Sequence, residues 1–118
     1  LLEWQQPRAR KMMTWEEAND YVAEKNGEGL MGYNDWRLPA VGELKDLAKF
    51  IKSSPGSYSD TDKLYWSSED LGPYSVQAKV VNLGNAQMEW ECFELDQLAA
   101  KCPKNNRFSV RLVRSLIQ

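Results

Sequence analysis

Gly32-Tyr33-Asn34-Asp35-Trp36-Arg37-Leu38-Pro39 changes character along its length, from a turn-rich approach to an extended chain. Pro39 disfavours helical geometry at Leu38, so the residues before it are expected to run extended. Beyond it, Val41, Leu44, Leu47, Ala48 and Ile51 fall on one stripe of helical period, which predicts a helix ended by Ser53-Ser54-Pro55-Gly56. Its start is weakly capped, because Ala40 stands where a serine or threonine side chain would accept from the first turn.

Upstream, Leu2-Glu3-Trp4-Gln5 reads as a short extended stretch, ended by Pro7 and a basic turn of Arg8, Arg10 and Lys11. Thr14 precedes Glu17 by three residues, the spacing of a capping box. Trp15, Ala18, Tyr21 and Val22 share a helical face, so a first helix is expected over about residues 15–25, with Gly27 as its stop. Downstream, Ser57 to Lys63 is a polar loop and Leu64 to Ser68 a strand entering the core. Val76 to Leu83 is valine-rich and apolar on both faces, which predicts a central strand. Gly84-Asn85 predicts a hairpin turn with Ala86 to Trp90 returning antiparallel. A short helical turn is expected within Phe93 to Ala100, a turn at Pro103 to Asn106, and a final strand from Phe108 to Leu116. Helices early and strands late make an α+β arrangement, two helices flanking an antiparallel sheet.

The 118 residues suit one domain, residues 1–118, and 42% apolar content is enough for a core. A net charge of −2 argues against a general nucleic-acid binder, whose affinity rests on neutralising many phosphates. The longest apolar runs are far short of a membrane span, so no membrane insertion by this domain is expected. The chain has no His, which excludes histidine-centred triads and His-ligated zinc. Leu1 in place of an initiator Met reads as the start of a mature or excised fragment.

Cys92 and Cys102 close a short loop and read as a disulfide in an exported protein, or as free thiols in a cytosolic one; the disulfide is favoured. Asp35 and Arg37 invite a catalytic reading, but no nucleophile accompanies them. A structural role is expected, an ion pair with Arg111 or Arg114 holding the loop against the terminal strand. Trp15, Trp36 and Trp66 lie within helix and strand patterns and are expected in the core. Trp90, between Glu89 and Glu91, is the candidate for an exposed contact.

Asp60, Asp62, Glu69 and Asp70 form an acidic cluster. Hard oxygen ligands on a loop suit calcium, but the spacing matches no EF-hand, and a solvated loop is the favoured reading. No metal or cofactor is expected. Lys101, Lys104, Arg107, Arg111 and Arg114 concentrate positive charge in the last eighteen residues, and Arg8, Arg10 and Lys11 join them if the termini pair. Such a cluster binds polyanions by counterion release, although Arg111 and Arg114 should point to opposite faces of a strand.

These segments stand in an ordered set. Leu2-Glu3-Trp4-Gln5, Met13 to Ala18, Gly32 to Pro39, Glu43-Leu44, Tyr65-Trp66-Ser67-Ser68, Val80 to Gly84 and Val110 to Arg114 together run from one end of the chain to the other. In that order the chain resembles the Lcl C-terminal domain family, named from a bacterial collagen-like adhesin. The resemblance implies a C-type-lectin-like fold with paired terminal strands, and a surface-exposed, periplasmic or secreted setting. It also implies adhesion, in some members to sulfated glycans. Two stretches depart from the family pattern: Ala40-Val41-Gly42 at the start of the second helix, and Glu91 to Asn106, so the resemblance lends the disulfide no support.

The expected function is noncatalytic recognition of a glycan or protein ligand, with oligomerisation open. Trp90, Lys101, Lys104, Arg107 and Arg111 are the candidate binding residues, and Asp35, Arg37 and Arg114 the structural ones. The rival is an oxidoreductase related to formylglycine-generating enzymes, which share the lectin-like fold and use a cysteine pair; fold alone does not decide function.

Overall fold

A computed structural model describes residues 1–54 and 63–116. Its elements are β1 (Leu2–Trp4), α1 (Trp15–Glu28), a 3-10 turn (Leu30–Gly32), α2 (Val41–Ser53), β2 (Leu64–Asp70), β3 (Gln77–Asn82), β4 (Phe93–Glu94), β5 (Ala99–Pro103) and β6 (Val113–Ser115). Two helices and antiparallel strands make the α+β class expected. β1 pairs antiparallel with β6, joining the terminal segments, and the other strands form a four-stranded sheet in the order β2-β3-β5-β4.

The valine-rich strand is interior in that sheet, and both its faces are buried. Val80 packs with Trp36, Trp66, Phe108, Val110 and Leu112 on one side. Val81 packs with Tyr65, Leu83 and Ala99 under the α2 stripe of Leu44, Leu47, Ala48 and Ile51 on the other. Adjacent residues of a strand point to opposite faces, so consecutive valines supply two cores.

α1 begins as predicted: Glu17 N donates to Thr14 Oγ1 at 3.1 Å while Thr14 N donates to Glu17 Oε1 at 3.0 Å. It runs past Gly27 and stops at Gly29, whose φ of 69° is the left-handed geometry that ends helices.

Three expectations are corrected. Ala86 to Trp90 does not return as a strand; β5 takes the place beside β3, with Val81 opposite Ala99 and Gln77 opposite Pro103. The Asn82 side chain accounts for this. Its Oδ1 accepts from the Gly84 and Ala86 amides at 2.9 and 3.1 Å, and its Nδ2 donates to Ala86 O at 2.8 Å. Backbone groups satisfied by a side chain have no need of a ladder. Phe93 to Ala100 holds no helical turn. It forms β4 and a turn in which Asp96 Oδ1 accepts from the Leu98 and Ala99 amides at 2.9 and 2.8 Å.

The last segment is regular only at β6. From Phe108 to Leu112 it is threaded between neighbours, through Phe108 N to Met13 O, Ser109 N to Leu64 O, and the Ala9 and Gln5 amides to Val110 and Leu112 carbonyls. Most of the predicted polar loop, with Asp60 and Asp62, lies outside the described residues.

Candidate recognition surface

The charges divide into those that build the frame and those that reach solvent. Arg114 is a frame residue. Its Nε donates to Asp35 Oδ1 at 2.7 Å, its Nη1 donates to Glu3 Oε1 at 2.8 Å, and its guanidinium lies 3.5 Å from the Tyr33 ring centroid. The ion pair expected for Asp35 is therefore formed with Arg114. Arg37 turns elsewhere and holds both oxygens of Glu43 at 2.8 Å. This fork, with the Ala40 amide behind it, keeps the Glu43 carboxyl below the ordinary carboxylate range. Arg111 is only 3% exposed, and its Nη1 donates to Gln5 O. Burial removes Arg111 and Arg114 from any surface patch.

Lys104 and Arg107 are tethered at the surface. Lys104 Nζ lies 3.1 Å from Asp70 Oδ2 and 4.6 Å from the Trp15 ring centroid. Arg107 Nη1 lies 2.6 Å from Glu17 Oε1. The Thr14 amide, followed by Arg107 and Lys11, holds the Glu17 carboxyl below its usual value. Arg107 thus pairs with a carboxylate whose charge Lys11 of the N-terminal basic turn also favours. Arg8, Arg10 and Lys11 line a cleft of about 510 Å³ with Tyr21, Lys25 and Met31.

The acidic residues at the end of β2 are engaged as well. Glu69 Oε2 accepts from the Val41 amide at 2.7 Å and its Oε1 lies 3.7 Å from Lys79 Nζ. Asp70 accepts from Lys104 and from the Gly72 amide, and the Lys104 bond is the main reason its carboxyl sits low. Among the described residues no group of three or more His, Cys, Asp or Glu is placed to hold a metal ion.

Cys92 and Cys102 are bonded, with Cα atoms 4.4 Å apart. The bridge anchors a surface ledge. Trp90, two residues before it, is 88% exposed, against 2% for Trp36 and none for Trp66. Phe93, just after it, is 67% exposed, with Lys101 Nζ 5.4 Å from its ring centroid. Asn106 Nδ2 donates to Glu91 Oε1 at 3.1 Å, drawing the ledge against the turn that carries Lys104 and Arg107. Four of the five candidate binding residues, Trp90, Lys101, Lys104 and Arg107, therefore sit on segments joined by a disulfide and a hydrogen bond.

Sequence reasoning missed Phe93. Its signal was available as an aromatic beside a cysteine in a mostly polar run, with Glu91, Glu94, Asp96 and Gln97 around it. Among the described residues no helix is long and apolar enough to cross a membrane.

The model of one family, described as the Lcl C-terminal domain, matches residues 1–114. No curated protein and no solved structure matches the chain. The match takes in every element from β1 through the ledge and the first two residues of β6, and by it the chain belongs to the Lcl C-terminal domain family.

Proposed function

We propose that the domain is a noncatalytic, extracytoplasmic recognition module that holds an anionic, sulfated glycan across the Trp90 ledge and the adjoining basic rim. The observation that carries this reading is the exposure of Trp90 and Phe93 on a backbone tied by the Cys92–Cys102 bond. Aromatic faces in water offer flat apolar area to sugar rings. A disulfide holds them in place beforehand, so less freedom is lost on binding.

Lys101 beside the ledge, and Arg107, Lys11 and Arg10 beyond it, supply positive charge for sulfate groups. Polyanions bound this way release counterions, so affinity falls steeply with salt. A disulfide in a domain of this size supports an oxidising compartment, and membership of a family named from a surface adhesin supports an adhesive role.

Retention on immobilised heparin over a salt gradient tests the reading. The unaltered domain should elute late, and Trp90→Ala, Lys101→Ala and Arg107→Ala should each elute at lower salt while remaining folded. Failure to bind heparin and a sulfated glycan array, or binding indifferent to all three substitutions, overturns it. A protein partner captured through the same ledge would then be the better account.

A further inference from the structure

The edge of β1, apart from the Trp90 ledge, presents backbone groups that β6 leaves unused. β1 pairs with β6 through Leu2 opposite Ser115, Glu3 opposite Arg114 and Trp4 opposite Val113. Leu116 N donates to Leu1 O and Gln5 N donates to Leu112 O, so residues 1, 3 and 5 turn their backbone groups toward β6. Leu2 and Trp4 therefore turn theirs outward, where among the described residues they meet no backbone partner. The other edge of β6 is already occupied: Arg37 and Val113 exchange both bonds at 2.9 Å. Among the described residues, this two-stranded sheet has one open edge.

That edge borders a cleft of about 540 Å³. Leu1, Leu2 and Trp4 form one side, and Glu43, Asp46, Leu47 and Phe50 of α2 form the other. Leu47 is buried at its base and Phe50 is half exposed at its lip. The polar rim is acidic. Glu43 is held by Arg37, whereas Asp46 is exposed and makes no ion pair among the described residues.

The geometry points to an extended peptide from a partner protein as the occupant, adding as a strand to β1 and carrying a Lys or Arg toward Asp46. Outward peptide groups spanning about 7 Å offer two donors and two acceptors to an added strand. Alternate side chains of that strand would enter the apolar cleft between Trp4 and Phe50. A helix leaves the outward peptide groups unused. A second copy of this chain, paired edge to edge, would bring two identical acidic rims together, and like charges across an interface oppose association.

Random decapeptides displayed on phage and selected against the whole chain test the proposal. Enriched sequences should carry apolar residues at every second position, with a Lys or Arg in that same register. Their binding should fall at least tenfold on Asp46→Lys and on Leu2→Pro, and be unchanged by Trp90→Ala. Leu2→Pro deletes an outward donor but none of the bonds to β6, and edge strands tolerate proline. In the unaltered chain, bound peptide should slow hydrogen exchange at the Leu2 and Trp4 amides, a readout that needs no variant to fold. No enrichment, enriched peptides with helical apolar spacing, indifference to both cleft substitutions, or unchanged exchange at Leu2 and Trp4 would each overturn the proposal. Because the ledge variant is the control here, failure of this site and failure of the glycan site are read separately.

Discussion

Glu69 caps a helix that begins 28 residues before it. Its Oε2 accepts from the Val41 amide, the first of α2, at 2.7 Å. The first turn of a helix has amides without intrahelical partners, and Ala40 at the N-cap has no side-chain acceptor to offer. Glu43 reaches back to the Ala40 amide at 2.8 Å, which is half of a capping box. β2 provides what is missing. Its pairing with β3 shifts register between Trp66 and Asp70, and Ser67 Oγ accepts from the Glu69 amide at 3.1 Å. This irregularity accompanies a carboxylate aimed at the positive end of the α2 dipole.

Glu69→Ala is expected to destabilise the domain by about 1 kcal/mol, the ordinary cost of losing a helix cap. Ala40→Asp in that background should recover part of the loss, because the backbone at position 40 already has the extended geometry of an N-cap, with φ of −71° and ψ of 159°. Urea unfolding of the two variants checks this. Equal stability of Glu69→Ala and the parent would show that the long-range cap is idle.

Arg114 joins three segments that the chain order keeps apart: β1 through Glu3, β6 through its own backbone, and the loop before Trp36 through Asp35. Arg114→Lys should not restore what Arg114→Met loses, because a single ammonium cannot reproduce a planar fork directed at two carboxylates. Both variants should lower the urea midpoint and speed hydrogen exchange at the Glu3 and Gln5 amides, which bond to β6 and Leu112. Midpoints that separate, with lysine close to the parent, would reduce Arg114 to a point charge.

What the sequence made legible is what local spacing encodes. Thr14 and Glu17 lie three apart and form their reciprocal cap; the α2 stripe is where its period puts it; a strand apolar on both faces is interior. Choices between distant partners were not legible. Whether Asp35 takes Arg111 or Arg114 depends on how β6 docks, and whether β3 is followed by Ala86 to Trp90 or by β5 depends on the three hydrogen bonds of Asn82. The surface followed the same division. Trp90 stood out by its acidic neighbours, whereas the buried Arg111 donates to Gln5 O, 106 residues away.

Acid should weaken the fold through its depressed carboxyls, Glu43 and Asp96 among them. Arg37 is the main cause at Glu43, which lies below its ordinary 4.5. At Asp96 Lys45 is the main cause, with the Ala99 and Leu98 amides behind it, and the value falls from 3.8 to about 2. A carboxyl whose folded value is lowered contributes stability above its unfolded value and loses it as pH falls through the folded one. The decline should therefore begin near 4.5 and continue toward about 2. Asp96→Asn should flatten the part of the profile below 3.8, read as urea midpoint against pH.

Reduction of the Cys92–Cys102 bond, or the Cys92→Ser, Cys102→Ser pair, frees a loop with a sequence separation of 10. In the chain-entropy account this costs about 2–3 kcal/mol. Cys102 is fully buried beneath the sheet while Cys92 is only partly so. The domain should therefore stay folded on reduction, with exchange rising first at β4. Loss of the far-ultraviolet signal on reduction at room temperature would mean that the bridge is needed for folding.

Trp66 and Trp90 divide the roles of tryptophan in this chain, and one substitution at each separates them. Trp66 is fully buried, donates its Nε1 hydrogen to Met13 O at 2.7 Å and meets Phe108 edge-on at 4.9 Å. Trp66→Ala empties a core site and removes one of the two donors to the Met13 carbonyl, which keeps its bond from the Phe108 amide, so a loss of about 3–5 kcal/mol is expected. Trp90 projects into water, and surface positions without partners usually shift stability by less than about 0.5 kcal/mol. Trp90→Ala should then leave the urea midpoint in place while heparin retention falls. The converse result, a destabilised Trp90→Ala that still binds, would make the ledge part of the frame; the basic rim around Arg10, Lys11 and Arg107 would then carry recognition without it.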